Sequence, residues 1–374
     1  MGAQPRVLYI INKRSDTSIP LEVADHFGEG VDVKVAAYYR PDDTAGRFFD
    51  GDTEHIGARG RFDPRGPRGL YRLIRQFRPH VIHVHHTLSS LWGSVLGRAL
   101  GVPVIVKTEH SDHRRYEPYQ DAANVFSLAL ADCVICNSDH TRASYHSWEK
   151  PLASHKSVTI YNGVDLHRIA EGKAHARRTR ADLKASEETF LLGSVGRLVR
   201  EKNYERLIRA VARVSLPERA VRLVIAGGGA LRSRLEREIE QRGLGERVTL
   251  LGGVSRERVY QLLHAVDAFV MPSRWEGFCN AVVEAMAAGC PILASDIGTL
   301  REVVGPVGMY ADPDSAEAWA TAIERMAIMG AREREKRGRE ARTRAKEKFT
   351  VQRTARRYTD TYLDLLEKMD FTLS

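Results

Sequence analysis

Short apolar runs and stretches of helical spacing alternate along this chain. Residues 7–11 form a five-residue apolar run between polar flanks, the pattern of a buried parallel strand. Residues 31–38 predict a second strand. Residues 69–77 have helical spacing and lead through Pro79-His80 into a strand over 81–84. A helix over 88–100 is closed by Gly101. Strands over 102–107, 133–136 and 158–161 follow, with a helix over 124–131 and another opened by Ser138. Residues 166–188 are rich in Arg and Lys with little periodicity, and read as a linker. The alternation then restarts. It predicts strands over 191–195, 221–226, 248–251, 268–271 and 291–294, and helices over 204–214 and 230–242. Such alternation implies parallel, doubly wound sheets with helices on both faces. Two late helices, 331–348 and 354–369, end the pattern. The second is amphipathic, with Tyr358, Tyr362, Leu365 and Leu366 on one side.

The chain has 374 residues, enough for two domains. The expected division is 1–170, a linker over 171–188, then 189–353, with the helix 354–374 returning to the first domain. Charge and histidine change the picture most. Thirteen of the 14 histidines lie at or before His175, so the halves differ in chemistry. The net charge is +9, and residues 332–357 hold 12 basic against 4 acidic side chains. That run reads as a solvated helix or as a contact for an anionic membrane. It lacks the interleaved aromatics and zinc spacing of a nucleic-acid reader. No apolar run approaches the roughly 20 residues of a membrane span, and no leader pattern opens the chain. A cytoplasmic protein, peripheral to a membrane at most, is expected. The four cysteines read as reduced thiols.

The segment 272–297 holds the most informative chemistry. Glu276 follows a strand, Gly277 marks a turn, and a helix is expected from about Phe278. Its backbone N–H groups would form an anion site. Glu284 lies on that helix, about 12 Å from Glu276. This exceeds the roughly 5–9.5 Å of a glycosidase carboxylate pair, so the two read as holding opposite ends of one ligand. His110 follows a strand at its carboxyl end, where open α/β sheets bind ligands. His113 is a rival three residues on. His83 and His85 share a strand face and His86 points away, which suits packing and cleft lining better than a metal. Cys133-x-x-Cys136 lies in a buried strand and reads as packing. Asp312-Pro313-Asp314 reads as a turn and helix cap. Gly227-Gly228-Gly229 fails dinucleotide spacing at Arg232.

Several motifs, in order, carry a resemblance. They are Asn162-Gly163-Val164-Asp165, Gly196-Arg197-Leu198 with Arg200-Glu201-Lys202-Asn203, and Gly227-Gly228-Gly229. Leu251-Gly252-Gly253-Val254, Glu276-Gly277-Phe278, Glu284-Ala285-Met286-Ala287 and Gly289-Cys290-Pro291 follow. With His83-Val84-His85-His86 and Thr108-Glu109-His110 in the first half, the chain resembles family 4 retaining glycosyltransferases of the GT-B fold. The resemblance implies two Rossmann-like domains facing a cleft, with the last helix crossing back to the first. It implies a nucleotide-sugar donor and a hydroxyl acceptor. UDP is favoured as the commonest donor nucleotide, and no cofactor or metal is expected, since Arg197, Lys202 and the helix start supply positive charge. Arg197 and Lys202 would neutralise the departing diphosphate, Glu276 would hold sugar hydroxyls, and His110 would face the donor sugar. Glu284 would take the ribose. Gly277, Phe278, Cys279 and Asn280 would surround the phosphate with backbone N–H groups, and Gly196, Gly253 and Val254 would complete the donor site. His86 would line the acceptor side. One departure stands out. The family's Gly-Gly loop after the first strand is replaced here by Asn12-Lys13-Arg14-Ser15, so Lys13 and Arg14 become candidates for that role. The departure also admits a protein that binds nucleotide sugars without turning them over.

Overall fold

The computed structural model describes residues 4–13, 18–40, 53–60, 63–217 and 219–371. The chain divides into two units: residues 1–163 with 351–374, and residues 164–350.

The first unit is built on seven parallel strands. They are β1 (Arg6–Ile11), β2 (Asp32–Tyr39), β3 (Thr53–Ala58), β4 (Val81–His85), β5 (Val104–Glu109), β6 (Cys133–Cys136) and β7 (Ser157–Thr159). Their order in the sheet is β3-β2-β1-β4-β5-β6-β7. The strand direction of growth reverses between β1 and β4, which creates a topological switch point there. β1, β4 and β5 are almost entirely buried, because helices cover both faces. The helix Val351–Lys368 closes one face. Val351, Ala355, Tyr358, Tyr362 and Leu366 pack into a core with Val7, Tyr9, Val104 and Phe27. The amphipathic reading of this helix, and its return to the first domain, therefore hold.

The second unit carries β8 (Phe190–Val195), β9 (Val221–Ala226), β10 (Val248–Gly252), β11 (Ala268–Met271), β12 (Ile292–Ser295) and β13 (Met309–Ala311). All pair in parallel in the order β10-β9-β8-β11-β12-β13, with the switch point between β8 and β11. Its largest core gathers Leu192, Leu207, Val211, Leu223 and Val270 around the fully buried Trp319.

Two expectations need correction. Residues 171–188 are not a linker. They form a 3-10 turn (Gly172–His175) and a helix (Ala176–Asp182) within the second unit. A Cβ on Gly172 would stand 2.6 Å from the Tyr260 carbonyl carbon, so glycine lets this turn lie against the helix Arg256–Ala265. Arg180 ties the segment to the sheet through Asp267 at 3.0 Å and the carbonyls of Ser186 and Thr189. Its polar character thus serves hydrogen bonding rather than a free tether. β3 was also missed. It is an edge strand with no apolar run, and an edge carries little hydrophobic signal.

Candidate functional site

Several residues singled out from sequence follow the carboxyl ends of strands at or next to the two switch points, where backbone ends leave space for ligands. Gly253 and Val254 instead follow the edge strand β10, and Glu284 lies within a helix.

In the second unit, β8 runs into Gly196 and β11 into Pro272. Lys202 comes from the 3-10 turn Arg200–Lys202, and its Nζ lies 2.5 Å from Glu276 Oε1. Both side chains are nearly buried, at 13% and 11% exposure. Burial disfavours the Lys202 charge, yet the Glu276 carboxylate outweighs it and holds the ammonium above its ordinary range. Ser273 Oγ donates to the same Glu276 oxygen at 2.6 Å, and Thr299 Oγ1 donates to the Glu276 carbonyl at 2.9 Å. Gly196 makes room for this arrangement. A Cβ there would meet Tyr204 Oη at 2.9 Å and Lys202 Cε at 3.2 Å. Arg197 is not drawn in. It is 76% exposed and reaches Glu201 at 3.2 Å, a surface pair.

The loop from Glu276 enters the helix Asn280–Ala288 two residues later than expected. Phe278 is buried edge-on against Phe349, 5.6 Å between ring centres. Cys279 takes φ 74°, a left-handed conformation uncommon for a side-chain-bearing residue, and no side chain caps the helix. Asn280 and Gly277 are half-buried beside it. Glu284 is buried on the second turn, and its Oε1 accepts from Arg256 Nη2 at 2.9 Å. Arg256 was not foreseen. It opens the helix Arg256–Ala265 just after Gly253 and Val254, is 5% exposed, and lies 5.7 Å from the centre of the Tyr260 ring. A buried arginine at a helix start is an unfavourable placement unless a carboxylate meets it. That is the signal that could have found it. No Cβ contact within 4 Å restricts Gly253, whereas Gly227 and Gly229 pass against the Gly196 and Leu198 backbones.

In the first unit the candidate residues are histidines packed among aromatic rings. His83 is held on both ring nitrogens, by Tyr362 Oη and Thr108 Oγ1, each at 2.6 Å. It belongs to the packing, as expected. His85 is also fully buried, its ring tilted at 49° to Tyr9 with centres 4.3 Å apart, and its Nδ1 lies 3.1 Å from His110 Nε2. His110 stacks on His86, 5.4 Å apart at 28°. Burial, with His86 adding to it, pushes His110 down to about 3. The His85 Nε2 atom is buried and has no hydrogen-bond partner. A buried acceptor left alone is better tolerated than a buried N–H left alone. His85 therefore carries its proton on Nδ1 and donates to His110 Nε2, which leaves His110 a donor at Nδ1.

His113, the rival, is enclosed by other side chains. It is fully buried, with Nδ1 2.8 Å from Glu149 Oε1 and Nε2 3.8 Å from Glu109. Lys107 lies 3.0 Å from Glu109, and Tyr116 Oη donates to Glu109 at 2.9 Å. This network is internal scaffolding. Lys13 is exposed after β1, and Asn12 accepts from Ser89 Oγ at 2.9 Å. Arg14 lies outside the described residues. Cys133 and Cys136 are buried thiols pushed up to about 12 by burial. Asp314 pairs with Arg274 at 3.0 Å, and the Asp312 carboxylate accepts from the Asp314 N–H at 2.8 Å. Ser315 caps the helix that follows.

Two parallel doubly wound sheets with polar groups at their switch points define a GT-B architecture. Residues 176–344 match the model of glycosyl transferases group 1, and residues 24–168 match glycosyltransferase family 4. The chain belongs to this glycosyltransferase family. It is 32% identical over 316 residues to the GDP-mannose-dependent alpha-(1-6)-phosphatidylinositol dimannoside mannosyltransferase of Mycobacterium tuberculosis, covering 81% of this chain and 78% of that one. It is 27% identical to the alpha-D-kanosaminyltransferase of Streptomyces kanamyceticus, over 69% and 70% of the two chains. Anabaena HepE in complex with UDP and glucose superposes with a TM-score of 0.80 at 18% identity, over 96% of this chain and 100% of that one. Sucrose-phosphate synthase of Thermosynechococcus elongatus gives 0.79 at 21% identity, over 98% and 100%. Among the described residues, no helix is long and apolar enough to cross a membrane.

Proposed function

We propose that this protein is a retaining, metal-independent glycosyltransferase that moves a hexose or related sugar from a UDP-sugar to a hydroxyl acceptor. The observation that carries the reading is the buried Lys202–Glu276 pair at the second switch point. A lysine and a carboxylate buried together suit a ligand with a diphosphate at one end and sugar hydroxyls at the other. Lys202 neutralises the phosphate as it leaves, and Glu276 accepts from the sugar hydroxyls. Charge on the leaving group grows along the reaction, so a fixed cation helps most in the transition state. The start of the helix Asn280–Ala288 adds about half a positive charge. Glu284, oriented by Arg256, accepts from the ribose. His110 donates from Nδ1 to a sugar oxygen, and the neutral histidines admit an uncharged acceptor. The departing phosphate takes the acceptor proton on the same face. UDP in HepE supports the uridine donor, while the mycobacterial relative's name makes GDP-mannose the rival.

A panel of UDP- and GDP-sugars tests this by thermal shift and product formation. A donor at 100 times its dissociation constant adds about 2.7 kcal/mol of stability. Binding without transfer to any hydroxyl acceptor, donor hydrolysis included, would instead mark a non-catalytic binder.

A lipid acceptor at a membrane surface is the second reading. The helix Ala331–Lys348 favours it, since many of its arginines and lysines are exposed. Sedimentation with anionic against neutral vesicles decides it.

A further inference from the structure

We propose that a groove in the second unit, separate from Lys202, Glu276 and Glu284, is a second anion site for a phosphate-bearing ligand. The groove holds about 370 Å³. Its walls are the first turn of the helix Tyr204–Arg213, the start of the helix Arg232–Gln241, and the segments around Arg200 and Arg274. Five arginines line it, Arg200, Arg206, Arg209, Arg234 and Arg274, against one carboxylate, Glu205.

Ion pairs account for only part of this charge. Arg209 Nε meets Glu238 at 2.8 Å, Arg274 Nη2 meets Asp314 at 3.0 Å, and Arg234 pairs with Glu205. Neither Arg200 nor Arg206 has an ion-pair partner among the described residues. Arg274 Nε is buried and has no hydrogen-bond partner. The helix end beneath them sharpens the imbalance. Asn203 stands where a capping side chain would accept from first-turn N–H groups. Instead it adopts φ 56°, and its Nδ2 donates away, to the carbonyls of Pro272 and Pro313 at 3.1 and 2.8 Å. No side chain caps this ten-residue helix.

The result is a concave surface where guanidinium groups gather at the positive end of a helix. Each of these features disfavours the others until an anion arrives. Guanidinium forks match the oxygens of phosphate two at a time, and backbone N–H groups at a helix start do the same. The volume admits a phosphate, a diphosphate or a sugar phosphate. The lining is too polar for an apolar ligand. The shared chemistry is therefore a phosphate group, free or esterified.

Calorimetry on the full chain tests this with inorganic pyrophosphate and with glucose 6-phosphate. Pyrophosphate should titrate two sites in the wild type. Lys202→Ala should remove one and leave the groove intact. Arg206→Glu should weaken the other at least about tenfold, and Arg234→Ala should weaken it in the same direction. Arg206→Gln, which removes the charge at similar size, should also weaken the groove without lowering the Tm. Response to both probes identifies a phosphate ester as ligand, and response to pyrophosphate alone identifies a free diphosphate. Either result upholds the groove. A single pyrophosphate site in the wild type, lost in Lys202→Ala and unmoved in Arg206→Glu, overturns it, as does the absence of pyrophosphate binding.

Discussion

The two units solve the same topological problem with different side chains, although the first also buries one ion pair, Lys107–Glu109, on β5 beside His110. Each sheet reverses its strand order once, and each presents polar residues where it does. In the second unit these residues are buried ion pairs, Lys202–Glu276 and Arg256–Glu284. In the first they are rings: His85 and His86 stack on His110, His85 is hydrogen-bonded to it, and Tyr9 and His83 pack beside His85. Burying a charge is costly unless a partner sits beside it, and a neutral histidine avoids that cost. The contrast teaches where charge is needed. On the proposed function, the Lys202–Glu276 pair would serve the leaving diphosphate, and the histidines would order hydroxyl groups.

The sharpest way to break the comparison is Lys202→Ala. If the buried cation stabilises the leaving group, turnover falls at least about 100-fold, or ~2.7 kcal/mol, in a steady-state assay. Lys202→Arg, which keeps the charge in another shape, should recover part of it. A loss below about fivefold would place leaving-group stabilisation elsewhere.

Glu284→Ala should come next. Losing hydrogen bonds to a charged acceptor weakens nucleotide affinity by roughly 1.5–3 kcal/mol in calorimetry. The Arg256 pair adds a second effect. Removing Glu284 leaves a buried guanidinium without its carboxylate, so the Tm should fall as well. Glu284→Ala with Arg256→Met should restore the Tm but not the affinity. Unchanged affinity in both would remove Glu284 from the donor site.

Some of this was legible in the sequence and some was not, for identifiable reasons. Glu276 and His110 stand out because each follows a strand, Glu284 because it lies on the helix after Glu276, and Lys202 through the resemblance carried by its motif. Arg256, Ser273 and His85 touch another candidate residue; nothing local marks Ser273 or His85, and Arg256 is marked only as a cation at a helix start. Arg256 and Glu284 are 28 positions apart, so the pair exists only once two helices pack. The residues of 171–188 misled for the converse reason. Their contacts go to backbone carbonyls and to Asp267, and a polar helix held that way has little apolar periodicity. Arg197 illustrates a further limit: its motif placed it beside Lys202, yet its side chain stands in solvent.

A pH series sharpens the contrast at smaller amplitude. Burial depresses His83, His85 and His110 in the folded first unit, below the ordinary 6.5. The unfolded chain then binds more protons. Their contribution to stability is full above pH 6.5 and is lost as pH falls towards the folded values, about 3 for His110. Lys202 runs the other way. Its folded value is raised, so its contribution is full below 10.5 and is lost as pH rises through that folded value. Hydrogen exchange resolved by segment should therefore show β4 and β5 loosening between pH 7.5 and 5 while β8 and β11 change less. His110→Ala should flatten part of that response and lower turnover while leaving UDP affinity nearly intact. A fall in UDP affinity as large as the fall in turnover would mean that His110 acts on the diphosphate.

The smallest expected effect is that of chelation. A leaving diphosphate needs positive charge, and metal-dependent glycosyltransferases supply it with a cation held by Asp-x-Asp. This chain has that triplet at Asp312-Pro313-Asp314, but both carboxylates have other work. Asp314 holds Arg274, and Asp312 accepts the Asp314 N–H in the turn that Ser315 closes into a helix. Lys202 supplies a cation without metal, held ready by the Glu276 carboxylate, and the start of the helix Asn280–Ala288 adds about half a unit of positive charge. EDTA should then leave the rate within about twofold, far below the effect of Lys202→Ala. Asp314→Asn should be equally mild, because an exposed pair contributes little. Abolition by EDTA with rescue by magnesium or manganese would falsify this. It would move the source of positive charge from the buried lysine to a bound cation, and the electrostatic division between the two units would need a third, inorganic member.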